Sequence, residues 1–120
     1  MSFHFRVFTS PSGLQILAGR NAKQNELLSL QIACGLDVWF HADGPGAHVV
    51  LRYDANIPFT QDDFQFSANI AASHSGLMKK SNKKKVDVTM CRAIDVTKRK
   101  GDELGTVVIK GPCQMIKVAL

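Results

Sequence analysis

With 120 residues, 45% apolar and 21% charged, the chain has the composition of one soluble globular domain, 1–120, and is too short for two. No apolar run is long enough to span a membrane, and MSFHFRVFTSP lacks the basic-then-apolar pattern of a secretory leader, so a cytosolic or nuclear protein without a membrane partner is expected. The net charge of +5 turns attention to polyanions, while Cys34, Cys91 and Cys113, odd in number and widely spaced, argue for reduced, packed thiols rather than a disulfide framework or cysteine zinc site.

The elements follow in chain order. FHFRVFTS alternates, with Phe3, Phe5 and Val7 on one side and His4, Arg6 and Phe8 on the other, which predicts a strand. Pro11-Ser12-Gly13 turns it back into a second strand, LQILAG. Asn21 is placed to cap a helix with Gln24 three residues on. Leu27, Leu30 and Cys34 recur at helical spacing, Leu28 and Ile32 widen the stripe, and Gly35 suits the left-handed residue that ends a helix.

DVWFHAD (37–43) and AHVVLRY (47–53) read as two strands around Gly44-Pro45-Gly46. Alternation sends Val38, Phe40 and Ala42 towards the helices and Asp37, Trp39, His41 and Asp43 to the other face. If Ala42 lies opposite Ala47, His41 meets His48, Trp39 meets Val50, and Asp37 meets Arg52 as an opposite-charge pair. An exposed indole on that face would offer a plate for an unpaired base, with His41, His48 and Arg52 beside it as donors to phosphate or base edges. The structural alternative is a core tryptophan and a satisfied Asp37–His41 pair. His41, Asp43 and His48 are also residue types that ligate divalent metals, the basis of a metal-dependent nuclease alternative, although their spacing fits no mechanism-bearing motif.

Thr60 with Asp63 starts a second helix, whose face of Phe64, Ala68, Ala71, Ser75 and Met78 is small enough to pack closely on a sheet; Gly76 weakens its last turn. Three further strands are predicted over 86–95, 105–110 and 114–118. Gly101 and Gly105 bracket the first of their connections, and Gly111-Pro112 breaks the second. The order is β-β-α-β-β-α-β-β-β. With connections too short for parallel crossovers, the fold class is α+β, a mostly antiparallel sheet with two helices covering one face.

Charge divides along the chain. Residues 1–78 hold four Lys or Arg against six Asp or Glu; residues 79–120 hold eleven against four. The excess lies in Lys79, Lys80, Lys83, Lys84 and Lys85 and in Lys98, Arg99 and Lys100. Such clusters attract phosphate backbones, though a solvated loop or an import signal has the same composition.

GRNAKQNELLSL (19–30), DVWFHADGPGAHVVLR (37–52), the small-residue helix leading into MKKSNKKKVDVTM, and KRKGDELGTVVI (98–109) together resemble the NFACT-R domain. This is the RNA-binding module of ribosome-associated quality-control factors that bind transfer RNA on the large subunit. The resemblance implies a non-catalytic module for transfer or ribosomal RNA, with DNA an alternative, no cofactor, and ribosome docking through protein contacts as another role. It places the binding residues at Gly19, Arg20, Asn21, Gln24, Asn25, Asp37, Trp39, His41, Gly44, His48 and Arg52, with the helix start at Arg20-Asn21 suited to phosphate. The chain departs from that pattern at His74-Ser75, where many members carry aromatic residues. The other domains of the large family members do not fit in 120 residues, so a stand-alone or excised module is expected, without their recruitment of charged transfer RNA for tailing stalled peptides.

Overall fold

The computed structural model describes residues 4–75 and 85–119. Strands β1 (Arg6–Thr9) and β2 (Gln15–Ala18) form a hairpin, and α1 (Ala22–Leu27) continues into a π-helical turn over Leu28–Ile32. Strands β3 (Val38–Ala42) and β4 (Val49–Leu51) precede α2 (Gln61–Ser73). After it come β5 (Lys85–Arg92), a 3-10 turn (Ala93–Asp95), the short strands β6 (Val96–Thr97) and β7 (Val108–Ile109), and β8 (Cys113–Ala119). The main sheet has the order β1-β2-β4-β3-β5-β8, every neighbouring pair antiparallel, and β6 pairs with β7 in a separate ribbon. The α+β class is as expected. The extra strand β6 is two residues long, too short to leave a periodic pattern in sequence.

The register of the central hairpin is the one read from alternation: Val38 opposes Leu51, Trp39 opposes Val50, and Phe40 opposes Val49. Phe40, Ala42, Val49 and Leu51 face α2 in the larger core cluster. Ala68, Ala71 and Ala72 are fully buried there, so α2 lies close against the sheet. Met78 and Gly76 lie outside the described residues.

The helices cover opposite faces, which corrects the expected one-sided arrangement. A second core, built on Leu17, Leu28, Trp39, Val50, Cys91 and Val96, is closed by the α1–π segment and the β6–β7 ribbon. The π turn, sealed by Ala33 N–H donating to the Leu28 carbonyl at 2.8 Å, turns both Leu28 and Ser29 inwards.

Both helix starts use the caps the sequence predicts. Asn21 Oδ1 accepts from Gln24 N–H at 2.9 Å, and Gln24 Oε1 reaches back to Arg20 N–H at 2.9 Å. Thr60 and Asp63 form a reciprocal capping box. Asp63 is fully buried and ties the first hairpin to α2 by accepting from Ser12 N–H at 2.9 Å. Burial alone would raise its carboxyl pKa, but hydrogen bonds from Ser12, Ser10 and Thr60 hold it well below the usual range.

Among the described residues all three cysteines are free thiols, but only Cys91 is packed; Cys34 and Cys113 are exposed. Burial first, with Asp95 and Cys113 adding to it, pushes the Cys91 thiol up to about 12, so it is inert at neutral pH.

Candidate nucleic-acid interface

Asp37 closes the start of the central hairpin rather than facing a ligand. It is 3% exposed and accepts from Tyr53 N–H at 2.7 Å and Cys34 N–H at 3.0 Å. Its Oδ2 pairs with Arg52 Nε at 2.9 Å, the cross-strand pair predicted by the register. Arg52 is therefore already neutralised, and the Asp37–His41 alternative does not form.

Trp39 is 2% exposed, so the exposed stacking plate expected from sequence is corrected: the indole belongs to the second core. Its Nε1–H donates to Ser29 Oγ at 2.8 Å, and Ser29 Oγ lies 2.8 Å from His48 Nδ1. Indole N–H can only donate, so Ser29 Oγ accepts from Trp39. Burial first, and then the neighbouring His41, lower the His48 pKa to about 3. His48 is thus a neutral imidazole at pH 7. His41 stacks on the indole at 5.8 Å between ring centroids and meets His48 edge-on at 4.9 Å. Half-buried, it too has its pKa lowered, chiefly by desolvation, with the Gly46 backbone and Asp43 opposing.

These rings floor a cleft of about 830 Å³ at the end of the sheet marked by the β3–β4 turn. One wall is that turn. Asn25 holds it to α1 by donating from Nδ2 to the Gly46 carbonyl (3.3 Å) and accepting at Oδ1 from His48 N–H (3.1 Å). Gly19 is required beside this clamp, because a Cβ there would sit 2.0 Å from Asn25 Oδ1. Gly46 likewise admits the chain just past α2, since its Cβ would fall 2.9 Å from the Ser75 Cα. The opposite wall is the β6–β7 loop around Gly105, which rests on Ala22 and donates its N–H to Glu26 Oε1 at 3.2 Å.

Arg6 and Arg20 line the cleft and, among the described residues, no Asp or Glu does, although Glu26 backs the Gly105 wall and Asp43 acts on His41. Arg6 donates to the Gly19 carbonyl at 3.3 Å and Arg20 Nε to the His4 carbonyl at 2.7 Å; among the described residues neither pairs with a carboxylate. The second basic cluster differs. Lys98 is held by Glu26 at 2.5 Å and Arg99 by Asp102 at 3.1 Å, whereas Lys100 is exposed without a carboxylate partner among the described residues. Of the first cluster, Lys85 is exposed at the start of β5, and Lys79, Lys80, Lys83 and Lys84 lie outside the described residues.

Comparison with known proteins places this geometry. The model of the NFACT protein RNA binding domain matches residues 3–111. The chain belongs to that family. It is 41% identical over 89 residues to the Rqc2 homolog RqcH of Bacillus subtilis, a match spanning 73% of this chain and 15% of the relative. Among solved structures it resembles the C-terminal part of the fibronectin/fibrinogen-binding protein from Streptococcus suis, with a TM-score of 0.84 at 28% identity, covering 96% of this chain and 45% of that one. The chain thus spans less than half the length of either relative.

Within this family member, Arg20, Asn21, Asn25, Trp39, His41 and His48 do gather at one cleft, with Trp39 and Asn25 as its frame. Asp37, Arg52, Lys98 and Arg99 stand apart from the cleft lining, each held in an ion pair. Among the described residues His41, Asp43 and His48 form no three-ligand group, and Ser29 Oγ lies against His48 Nδ1. No helix among the described residues is long and apolar enough to cross a membrane. Three residues were not singled out in sequence: Ser29, which links Trp39 to His48; Glu26, which anchors the β6–β7 loop; and Arg6. The only signal for Arg6 was its place in an otherwise aromatic strand.

Proposed function

We propose that this chain is an RNA-binding module that recognises structured RNA, transfer or ribosomal, in ribosome-associated quality control in the cytoplasm, without catalysing a reaction on it. The observation that carries the reading is a cleft lined by two arginines and, among the described residues, no carboxylate, in a member of an RNA-binding family. Arg6 and Arg20 supply fixed positive charge at the cleft. The lysine run 79–85 and Lys100 supply further phosphate contacts and the long-range attraction. Likeness to RqcH supports the ribosomal setting.

Contact with about 4–6 phosphates gives log affinity against log salt a slope near −3 to −5. Fluorescence anisotropy with transfer RNA between 50 and 200 mM salt, about the usual window for such titrations, measures it. The RNA should be recovered intact with or without chelator. A salt-independent interaction, or chelator-sensitive cleavage, would contradict the reading.

A further inference from the structure

We infer, building on the RNA-binding reading above, that the cleft receives a single unpaired nucleotide of the bound RNA, its base against His41 and its phosphate on Arg6 and Arg20. The cleft, about 830 Å³, is concave and lies within the range of sites that enclose small molecules. A nucleotide swung out of a loop fits such a space, whereas a paired stem presents only its backbone to the rim.

Three features of the lining agree in kind. The first is charge: two arginines free of carboxylate partners among the described residues, and no acidic side chain, select an anion. The second is a flat ring. His41 is stacked on Trp39, which sets its plane, and burial keeps it uncharged, so it offers a base a stacking surface. The third is a polar group awaiting a partner. Ser75, 3% exposed, lines the cleft, and its Oγ is buried without a hydrogen-bond partner among the described residues. Buried hydroxyls are normally satisfied, and a base edge or ribose hydroxyl would satisfy this one.

The inference separates two sources of affinity. The lysines and Lys100 hold any polyphosphate; the cleft holds only a nucleotide free to leave its stack. The test compares an RNA hairpin carrying a five-nucleotide unpaired loop with a blunt duplex of the same stem, at one salt concentration. The wild-type protein should prefer the hairpin. His41→Ala should weaken hairpin binding roughly 5- to 150-fold, the range for removing a stacking partner, and leave duplex binding unchanged. Thr106→Trp, a substitution at an exposed position on the cleft wall, fills the space without touching the core and should abolish the preference as well. Equal affinity of the wild-type protein for both RNAs, or a preference that survives Thr106→Trp, overturns the inference while leaving RNA binding standing. Failure to bind either RNA overturns the RNA-binding reading and this inference with it.

Discussion

Trp39→Ala should destabilise the protein by about 3–5 kcal/mol, the usual range for truncating a buried tryptophan. The indole is sealed between Leu28, Val50, Cys91 and Val96, and its removal leaves a cavity beneath both histidines. It also frees Ser29 Oγ from its donor. Because Trp39 is the single tryptophan, the variant loses the fluorescence probe, and urea unfolding followed by circular dichroism is the appropriate measurement. A cost below about 1 kcal/mol would mean that the indole is not a core residue, since exposed sites usually fall within half a kcal/mol. Trp39→Phe should keep most of the stability and nearly all of the RNA affinity, because the indole frames the cleft rather than meeting the ligand.

Acid should weaken the fold well above the range in which carboxylates titrate. His48 has a folded pKa of about 3 against 6.5 in the open chain, so the unfolded state binds the proton first. Stability is therefore complete above the unfolded value and is lost as pH falls through 6.5 towards 3. Between pH 7 and pH 5 the loss amounts to about 2 kcal/mol from this group. His41 and His74, both shifted downwards by burial, add to it with the same sign. Asp63 acts in a lower window: its depressed carboxyl contributes stability that is fully present above its unfolded pKa and lost only as pH falls further. Denaturant midpoints at pH 7 and pH 5 read the first window, and His48→Gln should flatten the difference. An unchanged difference would show that His48 is not the group that titrates.

The elements that local pattern controls were legible in the sequence. Alternation in DVWFHAD and HVVLR fixed both strand faces and the register, and from these the Asp37–Arg52 pair followed. Caps at Asn21 and Thr60 were legible for the same reason, since a cap involves residues three apart. The burial of Trp39 was not. It depends on Leu28 in an unforeseen π turn and on Val96 in an unforeseen ribbon, and strand alternation says which face a residue takes but not what covers that face. The cations divided in the same way. The Arg99–Asp102 pair spans three residues and is local, whereas Lys98 finds Glu26 across 72 residues of sequence. Clustered lysines and arginines therefore overstated the charge available at 98–100, and Arg6, isolated in sequence, was undervalued.

The central claim is that Arg6 and Arg20 contact RNA phosphate at the cleft while carboxylate-paired cations do not. The salt dependence of transfer RNA binding tests it most directly. Arg6→Gln combined with Arg20→Gln should make the log–log slope shallower by about 0.7–0.9, the one phosphate the two arginines share. Arg99→Gln should leave the slope where it was. A slope unmoved by the double substitution, or shifted instead by Arg99→Gln, would contradict the account.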